Sequence, residues 1–255
     1  MELADTGFTA INVGSDFERP EDVTEYFTLH APPNTNIWRK PSAMDDATAP
    51  MVLKRLQQSF ILAEVTVSAD FAMEFDQAGL VIFAGARPDQ SSRSAVSRRT
   101  RPYTRRNSLS AMGKWVKAGL EFTGGEIHAT SVVATSSCGA DWCSSARLPP
   151  RTANFDPYPS PPPSLRVKFE RVDGSLWIWY QMPDSSLDPP AVRSPADVGS
   201  EWKKMREVMG FFNGREEKGE IWVGCYASRP MDFEPSNSWE ELDNLVAEFE
   251  DLDIL

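Results

Sequence analysis

Trp115, Lys117 and Glu121 stand two and four residues apart in the stretch Lys114-Trp115-Val116-Lys117-Ala118-Gly119-Leu120-Glu121-Phe122. An indole, an ammonium and a carboxylate in that order can stack on a ligand, hydrogen-bond it and exchange protons with it. Val116, Ala118, Leu120 and Phe122 alternate with them, so a period of two puts the chemical groups on one strand face and the apolar set on the other. A helix would instead pair Lys117 with Glu121 at i,i+4, but Gly119 and the Gly124-Gly125 turn favour the strand. The next run, Ile127 to Ser136, alternates too and adds His128 and Thr130. Later strands offer Trp177, Trp179, Trp222 and Tyr226 as further aromatic contacts. Lys117, Glu121 and His128 are the candidate proton-transfer groups, and an aromatic face with few polar groups suits sugar rings or a flat, partly apolar small molecule.

The elements that must position these groups are strands. Tyr26 to His30, Phe60 to Val67, Asp76 to Ala84, Leu165 to Arg171, Leu176 to Tyr180 and Gly219 to Ala227 read as strands, and Ala247 to Leu255 as a returning last one. Residues 1–25 read as an arm or edge strand, and Met51 to Leu56 and Trp202 to Arg206 are too short to arbitrate. Gly124-Gly125 and Asp173-Gly174 mark hairpins. Recurring strands with almost no helix indicate an antiparallel sandwich or barrel in one domain spanning 1–255. Two insertions interrupt it. Residues 86–113 carry Arg87, Arg93, Arg98, Arg99, Arg101, Arg105 and Arg106, a solvated loop or an anion-binding lid, with Ser108 as a phosphorylation candidate. Residues 147–164 are proline-rich. Ser238-Trp239-Glu240-Glu241 resembles a capping box.

A net charge of -11 disfavours nucleic acid and anionic membranes as partners. No basic segment followed by an apolar run opens the chain, and no apolar stretch nears the roughly 20 residues of a membrane span, so a cytoplasmic location is expected. Three cysteines fit a reducing compartment, although Cys138 and Cys143 are close enough in sequence to close a local loop. With His30 and His128 the only histidines, no metal site is expected. The sequence lacks a phosphate-binding glycine loop and a Gly-x-Ser-x-Gly nucleophile, and no cofactor is expected.

Thr35-Asn36-Ile37-Trp38, Asp76-Gln77-Ala78-Gly79-Leu80, Trp115 to Glu121, Ser131 to Thr135, Asp141-Trp142 and Val223 to Pro230 follow one another in an order that resembles a known family. It is the concanavalin A-like jelly-roll family, largely uncharacterised, that includes the yeast regulation-of-enolase protein. The resemblance covers roughly residues 20–254 and implies an all-β, antiparallel two-sheet jelly roll with one concave sheet. Asp76, Gln77, Asp141 and Trp142, which stand in the family-like segments, join Trp115, Trp177, Trp179, Trp222 and Tyr226 as expected ligand contacts.

Three functional classes follow. The first is a protein binding a carbohydrate or similar small molecule on its concave sheet. The second is a cofactor-independent enzyme, either a lyase, isomerase or cyclase of a small metabolite or a glycoside hydrolase using Glu121 with Asp76 or Asp141. The third is a non-enzymatic regulatory protein that presents an exposed apolar patch.

Overall fold

The computed structural model describes residues 2–3, 7–15, 17, 20, 22–41, 44–85, 88, 113–135, 139–149, 162–182, 201–213, 221–231 and 244–255. The arginine-rich insertion, Ser108, most of the proline-rich insertion, Cys138 with its expected pairing, and the capping box at Ser238 lie outside the described residues.

Strands whose side chains alternate between two faces, at least one of them apolar, pair into two antiparallel sheets. One sheet has eight strands in the order β1 (Glu2–Leu3), β2 (Phe8–Ile11), β6 (Met51–Arg55), β15 (Ile221–Ser228), β8 (Gln77–Ala84), β9 (Lys114–Thr123), β10 (Glu126–Ala134) and β11 (Asp141–Arg147). The other has six: β14 (Lys203–Val208), β13 (Ser175–Gln181), β12 (Ser164–Val172), β7 (Leu62–Ala69), β16 (Leu245–Ile254) and β3 (Tyr26–Ala31). A separate hairpin pairs β4 (Ile37–Lys40) with β5 (Met44–Ala47). The ambiguous segments at Met51 and Trp202 are therefore strands, whereas β5 and β11 have no counterpart in the sequence reading.

Two tight turns carry the hairpins that could be read in advance. Gly124 and Gly125 have φ of 61° and 79°, and Asp173 and Gly174 have 49° and 85°. Positive φ at both central residues is the twist-matched two-residue turn, for which glycine and aspartate are suited.

The two sheets face each other across one apolar layer. Leu80, Ile82, Val116, Leu120, Val223 and Cys225 of the larger sheet meet Val65, Val67, Val167, Phe169, Ile178 and Phe249 of the smaller. Each such large side chain contributes about 1.5–3 kcal/mol on burial. The result is an antiparallel two-sheet jelly-roll sandwich.

The larger sheet has a second apolar layer on its other face. Ile37 and Ala47 of the β4–β5 hairpin pack there on Val81, Phe83, Trp115, Val132, Trp222 and Tyr226. A polar clamp holds the hairpin down. Arg39 donates to Asp45 through Nε and Nη2, both at 2.8 Å, and to the carbonyls of Ala134 and Gly113. Trp115 Nε1 donates to Asp45 Oδ1 at 3.0 Å. This double coverage explains why β8 and β15 are apolar on both faces.

Candidate functional site

Antiparallel register aligns side chains on this outer face into rows, because directly paired residues point the same way. One row runs Arg55, Trp222, Phe83, Trp115, Ala134. The next runs Leu53, Gly224, Val81, Lys117, Val132, Trp142. A third runs Met51, Tyr226, Gly79, Gly119, Thr130, Ser144, and a fourth Ser228, Gln77, Glu121, His128, Arg147. Apolar residues dominate the first two rows, beneath the hairpin. The polar chemistry gathers in the last two and at Lys117.

The third row is bare where β8 meets β9. A Cβ on Gly79 would stand 2.1 Å from the Ala118 carbonyl oxygen, and one on Gly119 2.0 Å from that of Ala78. Two hydrogen bonds span this row. Lys117 Nζ donates to Gln77 Oε1 at 2.6 Å, and Trp142 Nε1 donates to Glu121 Oε2 at 2.7 Å. Lys117 Nζ also lies 5.3 Å from the centre of the Tyr226 ring, where the quadrupole attracts a cation.

These groups are buried: Lys117 is 1% exposed and Glu121 2%. Burial lowers the Lys117 ammonium from its ordinary 10.5 to about 8, against the opposing pull of Glu121 and Asp46. Burial, reinforced by Glu121, raises the Tyr226 phenol well above 10 and keeps it protonated. Lys117 has three hydrogen-bonding protons when charged, yet Gln77 Oε1 is its one acceptor among the described residues. Glu121 Oε1, Gln77 Nε2 and the Tyr226 hydroxyl likewise lack a partner among the described residues. In the fourth row the buried Ser228 Oγ is also unpartnered among the described residues. Donors and acceptors thus converge on a floor without side chains. Such a constellation can hydrogen-bond a ligand with several hydroxyls, and an amine near neutrality can also move protons.

Lys117, Glu121, Gln77, Tyr226 and Trp142 are therefore brought together, with His128 at the rim. His128 pairs in register with Glu121, but its Nδ1 contacts Ser144 Oγ at 3.1 Å and its Nε2 lies 3.8 Å from Glu126. The remaining expected contacts are placed elsewhere. Trp115 and Trp222 are buried in the hairpin-covered layer, since their indoles fill the first row. Asp76 is fully buried and held bidentately by Arg229, with Nε–Oδ1 of 2.9 Å and Nη2–Oδ2 of 2.8 Å, while Oδ2 also accepts the Ala72 and Met73 amides. Asp141 pairs with Arg206, bridging the edges of the two sheets. Asp76 is thus locked in place, and Asp141 pairs in register with Val133, whose side chain lies between the sheets, so it points away from the face of Glu121. Trp177 and Trp179 lie on β13 of the other sheet, stacked on each other at 5.8 Å with Lys204 over both.

Sequence reasoning used Gly119 only to favour a strand and gave no part in the site to the facing pair Gly79 and Gly119, nor to Asp46 and Ser228. Glycine inside a strand pattern signals close backbone approach, and that signal was present in Asp76-Gln77-Ala78-Gly79 and Lys117-Ala118-Gly119. Among the described residues no cluster of His, Cys, Asp and Glu could hold a metal ion, and no helix is long and apolar enough to cross a membrane. Burial raises the Cys225 thiol, which is fully enclosed between the sheets and acts as a small hydrophobe.

A family model described as a protein of unknown function (DUF1349) matches residues 17–254. An uncharacterized protein of Emericella nidulans is 29% identical over 226 residues, 88% of this chain and 87% of that one. A functionally unknown protein from Saccharomyces cerevisiae, whose crystal structure is solved, has a TM-score of 0.59 at 17% identity and covers 100% of this chain and 98% of its own. At that identity the likeness shows the fold alone. A GH43 protein from Bacillus licheniformis reaches a TM-score of 0.47 at 14% identity over 89% of this chain and 32% of its own, too slight a likeness to carry function.

Proposed function

We propose, from the premise that this chain belongs to the DUF1349 family of proteins of unknown function, that it binds a carbohydrate or similar polyhydroxylated small molecule on the outer face of its larger sheet. One observation carries the reading: a buried Lys117 ammonium with a single acceptor among the described residues, above a row left bare by Gly79 and Gly119. A desolvated donor with unfilled capacity is costly unless a ligand fills it. Hydroxyls suit the surroundings, because each both donates and accepts. They would take Lys117 and Gln77 Nε2 as donors and Glu121 Oε1 as acceptor, with the 41%-exposed Trp142 as a stacking surface at the rim.

Thermal melts against a panel of mono- and oligosaccharides test this. A ligand at 100 times its Kd should stabilise the protein by about 2.7 kcal/mol. Lys117→Met and Glu121→Gln should each abolish that gain while remaining folded. Stabilisation that survives both substitutions would place the ligand elsewhere.

A second reading is favoured by the Lys117 value of about 8, which lies in the range of a general base. The same site would then be a cofactor-independent enzyme moving a proton on a small metabolite. Turnover that follows a single ionisation near that pH, and is lost in Lys117→Met, would distinguish it from binding alone.

A further inference from the structure

Lys117 differs from an ordinary buried lysine in what holds it. No carboxylate lies within 4.0 Å of its nitrogen among the described residues; a neutral amide oxygen and the face of Tyr226 hold it instead. An amide oxygen accepts an N–H from an amine as well as from an ammonium. The Gln77 bond therefore orients the nitrogen in both protonation states, and in the neutral one a lone pair remains. Glu121 supports this from the same face. One of its oxygens is fixed by Trp142 Nε1 and the other is unpartnered among the described residues.

From this geometry, and resting on the ligand site proposed above, we infer that Lys117 captures ligands bearing an aldehyde or ketone carbonyl, including the open-chain form of a reducing sugar, as an imine. The amine nitrogen adds to the carbonyl carbon while the π pair moves to oxygen, which takes one of the two nitrogen protons to give a neutral carbinolamine. The remaining nitrogen proton passes to the departing hydroxyl, relayed to and from the Glu121 carboxylate through a hydroxyl of the bound ligand, the carbinolamine C–O bond breaks, and water leaves. Amine and carbonyl give imine and water, with no oxidant or reductant required. The iminium form of the product is charged and remains in the field of Glu121. Burial supports the amine's part: at pH 7 a group with a pKa of about 8 is neutral in roughly a tenth of molecules, against well under a thousandth for a lysine at 10.5.

The test treats the full chain with glyceraldehyde and cyanoborohydride at pH 7, then maps the adducts by mass spectrometry. Lys117 should be labelled at least about tenfold faster than the exposed Lys203 and Lys204, with its rate levelling off above about pH 8 while theirs climb. Lys117→Arg, shown to be folded by its melt, should lose that adduct alone. Equal labelling of all three lysines, or none at Lys117, overturns the imine. A parallel melt with a methyl glycoside, which has no free carbonyl, separates the two proposals. Stabilisation by the glycoside without an adduct removes the imine and leaves the binding site standing, whereas neither effect removes both.

Discussion

Gly79 and Gly119 face each other across β8 and β9 with no room for a Cβ on either, since each Cβ would stand about 2 Å from a carbonyl oxygen of the opposite strand. This contact keeps the row between Lys117 and Gln77 bare, and their 2.6 Å hydrogen bond spans it. Backbone approach in the middle of the sheet thus keeps this row clear of side chains.

Gly119→Ala should destabilise strongly, by about 2–4 kcal/mol, because backbone must move to admit the methyl group. Gly124→Asn is the control: its turn position is open and its φ of 61° is one that asparagine adopts, so a change within about 0.5 kcal/mol is expected. Urea denaturation of both variants measures the contrast. A near-neutral Gly119→Ala would show that the strands part easily.

Lys117→Met should raise stability at neutral pH. The folded-state pKa of about 8 lies below 10.5, so the unfolded chain holds the proton more tightly and parent stability rises with pH between those values. Below pH 8 the whole cost is present, about 3 kcal/mol for an ammonium whose pKa falls from 10.5 to about 8. The lost bond to Gln77 offsets about 1 kcal/mol of the gain. Melts from pH 6 to 10 should therefore show the variant ahead by about 2 kcal/mol at the acid end, with the gap closing above pH 8. A variant less stable than its parent at pH 6 would mean that Lys117 is held as a paired cation.

Trp142 and Glu121 should be energetically coupled across β10. Trp142→Phe keeps a ring at the rim but removes the donor to a buried carboxylate, and a hydrogen bond to a charged group is worth about 1.5–3 kcal/mol. A double-mutant cycle with Glu121→Gln should return a coupling of about 1–2 kcal/mol. Additive effects would show that Trp142 only shields the site.

Asp76 belongs to the scaffold. Asp76→Asn leaves Arg229 buried without its counter-charge and should cost about 3–5 kcal/mol. Glycan stabilisation of the folded variant should match the parent within error. An unchanged melt with lost ligand response would return Asp76 to the binding residues.

The period of two in Lys114 to Phe122 determined, from sequence alone, that Lys117 and Glu121 share a strand face, because pleating sends alternate side chains to opposite sides, while the register that sets His128 beside Glu121 came with the pairing of β9 and β10. The same local rule made the Gly124-Gly125 and Asp173-Gly174 hairpins legible. Local pattern says nothing about which strands become neighbours. The position of β15 beside β8 delivers Tyr226 to Lys117, while β13 lies in the opposite sheet and takes Trp177 and Trp179 away, although all three aromatics alternate equally well in sequence. Two short strands also decide the site. β5 has too few apolar residues to read as a strand, yet it places Asp45 on Trp115 and so buries that indole. β11, without a buried face of its own, is recruited by edge pairing with β10 and carries Trp142 to Glu121. Which carboxylates remain available was likewise a tertiary outcome. Asp76 meets Arg229 across 153 residues and Asp141 meets Arg206 across 65, and such long-range pairings depend on chain packing that periodicity does not encode.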